Sequence, residues 1–345
     1  MKALVLTAYN RLEVQDVSVP DVGPEDVLVE VGACGICGSD VHGMDGSTGR
    51  RRPPIIMGHE AAGTIVGRGR DVQGWAEGDR VTFDSTIYCG KCRFCRAGKI
   101  NLCSHRRVLG VSCEDYRQHG AFAQFVAVPQ HILYRLPAAV SFARAAMVEP
   151  VSIALHAVHR TPLRLNDTAL VVGAGMIGLL VLQALRAAGC GTTIVVDLDP
   201  ARLELAGRLG ADLCLRPDTS DVVREVLART DGCGVDVAIE AVGLSSTVPL
   251  AVASLSKGGQ LTLVGNFAPQ IELPLQAVVS RELTLYGSCA SCGEYLIGLE
   301  LMARGTIDVD SLVSATAPLE EGAAWFERLH RGGQGLMKVI LQPNA

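Results

Sequence analysis

The run Val171-Val172-Gly173-Ala174-Gly175-Met176-Ile177-Gly178 leaves this chain few architectures. Its three glycines have the spacing G-x-G-x-x-G. They follow a continuous apolar stretch at 169–172 and precede an apolar helical pattern at 178–188. Strand, tight turn and helix in that order open a βαβ unit. Gly173 permits the turn, Gly175 lets a pyrophosphate approach the backbone, and Gly178 lets the helix pack closely on the strand. Met176 and Ile177 complete the cofactor-binding turn, and the N-terminus of the helix that follows faces the phosphate charge. Asp197 ends the next apolar run, 19 residues beyond Gly178. A carboxylate there accepts the ribose hydroxyls of an adenosine and repels a 2′-phosphate, which favours NAD over NADP. Arg202 is near enough to stack on the adenine, or to weaken that preference. A glycine turn with no cofactor is the alternative.

Around this motif the chain has two textures. Residues 1 to about 148 alternate in short strands, as at 4–6, 12–17 and 27–31, with frequent Gly and Pro between them. From Ser141 helical spacing appears, running through Phe142, Ala145, Val148, Ile153, Leu155 and Val158. Beyond it strand and helix alternate: strands at 193–196, 235–239, 259–264 and 283–286, and a helix at 201–209. Continuous apolar strands between helices predict a parallel, doubly wound sheet. The expected class is α/β, a β-rich domain at 1–150 followed by a Rossmann domain at 151–288. Residues 289–345, with a helix near Tyr295–Ala303 and a strand at 338–341, are expected to return to the first domain.

Four cysteines form the run Cys89-x2-Cys92-x2-Cys95-x7-Cys103. Four thiolates close a tetrahedral zinc shell and leave no position for substrate. Lys91, Arg93, Arg96 and Lys99 lie among them and suit a solvated loop wrapped on metal rather than buried cysteines. Lobe 89–103 is therefore read as a structural zinc site. A second, open site is suggested by Cys37 in Gly35-Ile36-Cys37-Gly38-Ser39-Asp40-Val41-His42, by Gly58-His59-Glu60, and by Glu149-Pro150. One thiolate, one imidazole and one or two carboxylates make the mixed shell of a catalytic zinc with a free position.

Bulk properties exclude other classes. Net charge is −5, so no basic field invites nucleic acid. The one basic cluster, Arg50-Arg51-Arg52, is read as a solvated loop that could touch an anionic substrate. No apolar run reaches the length of a membrane span, and the N-terminus lacks a signal-type apolar region. Twelve cysteines in 345 residues are no disulfide scaffold, and a reducing, cytoplasmic setting is expected.

The segments GICGSDVH, GHEAAGTIVGRG, GDRV, the four-cysteine lobe and VVGAGMIGLL, in this order, resemble the zinc-containing medium-chain dehydrogenase/reductase superfamily over essentially the whole chain. Met147-Val148-Glu149-Pro150 resembles its polyol (sorbitol-type) and threonine dehydrogenase branches. Residues 196–203 and 239–243 resemble the NAD-binding segments of sorbitol dehydrogenases. The resemblance implies a GroES-like catalytic domain beside the Rossmann domain, one catalytic and one structural zinc, and NAD. It implies Cys37 and His59 as zinc ligands, with Glu60 or Glu149 as the third and the other carboxylate holding or exchanging with the zinc-bound water. Ser39 is implied as the first proton-relay hydroxyl and His42 as the next member, while Asp40 fixes the loop. Val242, Val264 and Gly265 are implied at the cofactor.

The implied activity is NAD-dependent oxidation of a secondary alcohol of a polyol or sugar-derived substrate to a ketone. Two departures leave L-threonine or a sugar phosphate as alternatives. Residues 286–292 do not copy the sorbitol dehydrogenase pattern, and Cys113-Glu114-Asp115-Tyr116-Arg117-Gln118-His119 is an unusual, charged stretch. A zinc- and nucleotide-binding protein without turnover is the reading of another class. The complete set Cys37, Ser39, His59, Glu60 and Glu149 argues against it. A homodimer or homotetramer is expected, with the strand at 283–286 as the contact.

Overall fold

Alternation writes the first sheet. Along Asp26–Gly35, in a computed structural model that describes residues 1–333 and 335–344, every second side chain is buried until the last three, which are buried on both faces. This strand is the hub of a seven-stranded sheet. Glu60–Arg68 pairs with it antiparallel, setting Gly35 opposite Glu60, and Phe125–Pro129 pairs along its first half. At its far end Ile340 lies opposite Gly35 and Leu341 opposite Cys34, so the chain's last strand, Lys338–Gln342, closes on an N-terminal one. A second sheet joins Lys2–Ala8 to Arg11–Asp16 and Ile55–Ile56. Leu4, Leu6, Val29, Val31, Ile65, Phe83, Phe122 and Phe326 form the apolar centre, with the Phe122 and Phe326 rings edge to face at 5.6 Å.

These strands belong to one of two compact units: Met1–Glu149 with Tyr295–Arg304 and Val309–Ala345. The other unit is Pro150–Glu294 with Gly305–Asp308. Its six parallel strands, numbered by their place in the chain, lie in the order 3-2-1-4-5-6: Leu213–Leu215, Thr192–Val196, Thr168–Val172, Val235–Glu240, Leu255–Leu263 and Thr284–Gly287. The order reverses between Thr168–Val172 and Val235–Glu240, and ligands of such sheets bind off the carboxyl ends at that point. Buried Leu170, Val172, Ile194, Val196 and Ala238 explain the continuous apolar runs.

Helix Met176–Ala187 starts two residues earlier than the periodicity suggested, because Gly175 already serves as its N-cap. The single helical pattern from Phe142 resolves into Phe142–Ala145 and Val148–Arg160. Strand Leu213–Leu215 and helices Val222–Arg229, Thr247–Ser254 and Gly322–His330 were not apparent from the sequence.

Candidate active site

Cys37 lies where Asp26–Gly35 gives way to a short helix, Gly38–Gly43, and is that helix's N-cap residue. His59 and Glu60 arrive on the neighbouring strand. The bend before them needs glycine, since Gly58 has φ +94° and a Cβ there would stand 2.8 Å from the Cys34 sulfur and from the Phe122 nitrogen. One donor atom each from Cys37, His59 and Glu60 lies within 4.8 Å of the others. Glu149, also buried, is not a member of that set.

Charge shapes this cluster. Burial would push the His59 imidazole down, yet the negative charges of Asp40 and Cys37 outweigh it and raise the ring well above its usual value. Asp40 Oδ2 faces His59 Nδ1 at 3.4 Å, and among the described residues neither atom has another partner. Burial works against ionisation of Asp40 as well, but His59 and Arg51 hold its carboxyl well below the usual range. Glu149 goes the other way: burial, with Glu60 and Asp84 adding to it, pushes its carboxyl up to about 7. A set of soft and hard donors that gathers negative charge and draws a proton onto its own imidazole is built for a cation, and its composition fits zinc.

Glu60 has a partner that sequence reasoning missed. Lys338 Nζ donates to Glu60 Oε1 at 2.8 Å, to Oε2 at 2.6 Å and to the Ile36 carbonyl at 3.1 Å. Gly35 makes room for the pair, since a Cβ there would stand 2.3 Å from Glu60 Oε2. Arg51 was missed too, and here the solvated-loop reading is corrected. Its neighbours Arg50 and Arg52 are exposed, but Arg51 is buried against Asp40. Ser39 Oγ donates to the Cys37 sulfur at 3.3 Å. His42 follows one turn along the same helix and is exposed.

In lobe 89–103 all four cysteine sulfurs lie within 4.8 Å of one another. Zinc–sulfur bonds of about 2.3 Å place tetrahedral sulfurs about 3.8 Å apart. Cys92 is 3.5 Å from Cys95 and 4.0 Å from Cys103, which fits that shell. Backbone N–H groups of Cys89 and His105 donate to the Cys103 sulfur, each at 3.3 Å. Those of Cys95 and Ser104 hold the Cys92 thiol down at about 5. Cys95 is pushed up to about 12 by desolvation and by the Cys92 thiol beside it.

The glycine turn is equally specific. Gly173 has φ +97°, and a Cβ on Gly178 would stand 1.7 Å from the Gly173 carbonyl oxygen. A Cβ on Gly175 would meet nothing within 4 Å, so this backbone is open to a ligand. Asp197 accepts from the Ala174 N–H at 2.6 Å and from the Asp199 N–H at 2.9 Å, which fixes its carboxylate beside the turn. Arg202 leans toward Asp199, 3.6 Å away. Across the switch point, buried Glu240 accepts from the N–H groups of Val242 and Gly243 and from Thr247 Oγ1, while its carbonyl accepts from Val264 and Gly265. These bonds fix the loop that carries Val242, Val264 and Gly265.

A parallel sheet in this strand order with an open glycine turn, and a β-rich unit with a closed four-cysteine cluster and a mixed Cys/His/Glu cluster, define a zinc- and NAD-linked dehydrogenase. Residues 23–138 match the family model of the alcohol dehydrogenase GroES-like domain, and residues 177–304 that of zinc-binding dehydrogenase. A sorbitol dehydrogenase of Bacillus subtilis is 35% identical, with 100% of this chain aligned to 98% of its length. A D-arabitol-phosphate dehydrogenase of Enterococcus avium is 33% identical over 97% of this chain and 95% of its own. A solved zinc-binding dehydrogenase of Sinorhizobium meliloti, bound to NADP, superposes with a TM-score of 0.90 at 32% identity, covering 99% of both chains. The chain belongs to the zinc-binding medium-chain dehydrogenase/reductase family and is related to its sorbitol and polyol dehydrogenases. It carries one structural and one catalytic zinc site and an NAD(H)-binding Rossmann fold. Among the described residues no helix is long and apolar enough to cross a membrane.

Proposed function

We propose that this protein oxidises a secondary alcohol of a polyol or sugar-derived substrate to a ketone with NAD. The observation that carries the reading is the cluster of Cys37, His59 and Glu60 with the Ser39 hydroxyl beside Cys37. These three residues would hold the catalytic zinc, His59 through Nε2 because Nδ1 is turned to Asp40. Glu60 can ligate while Lys338 holds it, since a carboxylate offers about four acceptor positions. Glu149 stands next to the set and retains a water or exchanges into it. Zinc, when bound, supplies Lewis acidity that makes the substrate hydroxyl a proton donor near neutral pH, and NAD supplies the hydride acceptor. Ser39 Oγ takes the hydroxyl proton and passes its own outward toward His42. In the other unit the Gly173–Gly178 turn receives the pyrophosphate and Asp197 the adenosine ribose, which favours NAD over NADP.

A phosphorylated polyol is the second reading. It is favoured by the D-arabitol-phosphate relative and by two charged segments that pack together. The Arg52 N–H donates to the Ser112 carbonyl at 3.1 Å, and Arg117 Nε to Ser112 Oγ at 3.3 Å. This sets Arg50, Arg52 and Arg117 along one exposed strip.

We take the protein to be a cytoplasmic homo-oligomer that engages no nucleic acid. Five of its twelve cysteines lie in the two metal clusters, and thiolates kept for metal agree with a reducing compartment. The last strand of the parallel sheet, Thr284–Gly287, has exposed Leu275 and Val279 on the preceding helix, and strand addition across a twofold axis would cover that edge. Light scattering in solution gives the subunit number.

The deciding assay follows NADH formation by zinc-replete protein with sorbitol, xylitol, galactitol, ribitol, L-threonine, 2,3-butanediol and sugar phosphates, with NADP in parallel. Turnover of a polyol or its phosphate supports the reading. Turnover of threonine alone, or none with two zincs and NAD bound, overturns it.

A further inference from the structure

One buried cation near the metal ligands has no place in the mechanism so far. Arg51 is 4% exposed. Its backbone is fixed by a parallel bridge to Ser112. Its stem runs over Gly43, where a Cβ would stand 2.7 Å from the arginine Cγ. The guanidinium then reaches two consecutive residues of the short helix. Nε and Nη2 donate to Asp40 Oδ1 at 3.0 and 2.7 Å, and Nη2 donates also to Ser39 Oγ at 3.4 Å. Nη1 is turned away, onto the Arg50 carbonyl at 3.0 Å. The second oxygen of Asp40 is the one that faces His59.

We propose that Arg51 is a positioning residue for the dehydrogenation: its planar fork holds Asp40 against the His59 imidazole and at the same time holds the Ser39 hydroxyl. The inference rests on the dehydrogenase reading above. A serine hydroxyl has one hydrogen to give and two lone pairs. The hydroxyl hydrogen is given to the Cys37 sulfur and one lone pair is fixed by Arg51, which leaves the other lone pair for the incoming substrate proton; as that proton arrives, the serine's own hydrogen leaves the sulfur for the outgoing path. As one proton arrives and the other leaves, the serine ends as it began. A lysine could keep the charge next to Asp40, but a point charge on a flexible stem cannot span both neighbours as the rigid fork does.

The test uses the zinc-loaded full chain with Arg51→Lys and Arg51→Met, each alone and combined with Ser39→Ala. Two quantities are read. One is the rate of zinc transfer to a chromogenic chelator, with Cys37→Ser marking the release of the structural zinc. The other is single-turnover NADH formation in light and heavy water. Arg51→Lys should release zinc within about twofold of the unaltered rate, yet slow single turnover about tenfold and enlarge the solvent isotope effect. That slowing should vanish in the Ser39→Ala background. Arg51→Met should in addition release the catalytic zinc about 10- to 100-fold faster, the usual effect of removing a residue behind a metal ligand. If Arg51→Met does not fold, Arg51→Gln carries the zinc readout. The inference is overturned if Arg51→Lys turns over at the original rate, if its slowing persists without Ser39, or if zinc release is unchanged in Arg51→Met or its substitute. Silence of the unaltered protein on every substrate would instead count against the dehydrogenase reading, and zinc release would still be measured.

Discussion

Replacing Lys338 with methionine strips the counter-charge from Glu60 and leaves nothing in its place. The two side chains are 3% and 1% exposed, so water cannot take over. Three hydrogen bonds are lost, two to the Glu60 carboxylate and one to the Ile36 carbonyl. Methionine fills a similar volume, so the packing cost is small. The electrostatic cost is not. Breaking a buried ion pair from one side costs about 3–5 kcal/mol. Burial works to lower the Lys338 pKa, but the Glu60 charge outweighs it and keeps the ammonium protonated at neutral pH. The expected loss is therefore about 4 kcal/mol in metal-free protein, and less with zinc bound, because a metal ligated by Glu60 restores a positive neighbour. Urea unfolding followed by tryptophan fluorescence reads this directly, since Trp75 and Trp325, the chain's two tryptophans, both belong to the catalytic unit. Glu60→Gln with Lys338→Met removes both charges and should recover at least half of the loss. A cost below about 1 kcal/mol in the metal-free single variant, the worth of an exposed pair, or no recovery in the double variant, would refute the reasoning.

Three further outcomes are expected. Cys37→Ser should lower bound zinc from two per chain to one and abolish turnover without unfolding the protein, whereas Cys95→Ser should lose the other zinc and expose residues 89–103 to proteolysis; metal analysis and limited digestion check both. Gly175→Ala meets no atom within 4 Å and should keep its melting temperature while weakening NADH binding at least tenfold, but Gly178→Ala drives a Cβ against the Gly173 carbonyl and should lower the melting temperature itself; fluorescence titration and thermal melts separate the two. The His159 imidazole is raised by its hydrogen bond to Glu294, so its stabilising share is present in full below its ordinary value of 6.5 and is lost as pH climbs through the raised one. Amide exchange at the end of helix Val148–Arg160 should quicken across that window, and His159→Gln should remove the dependence.

Much of this protein is written locally. The glycine turn, the four-cysteine spacing and the strand period were legible because each depends on neighbours a few residues apart: φ limits at Gly173, chelate reach from Cys89 to Cys103, and alternation along Asp26–Gly35. Strand Leu213–Leu215 was not, because three edge residues, two half-buried and one buried, carry no period. Lys338 gave no sign either. It reads as an ordinary polar first residue of a strand, and its partner is 278 positions away. Arg51 was misread because a run of three arginines looks uniformly solvated, while the bridge to Ser112 turns the middle one inward.

By itself, then, the sequence determined which donors, turns and periods the chain possesses, since side-chain chemistry and backbone sterics travel with the residues. Only the tertiary structure decided which charges meet. Gly35 and Gly43 leave space that Lys338 and Arg51 fill, bringing one cation to Glu60 and another to Asp40. In a low-dielectric interior those meetings orient Glu60 and, through Asp40, His59, and no spacing along the chain encodes them.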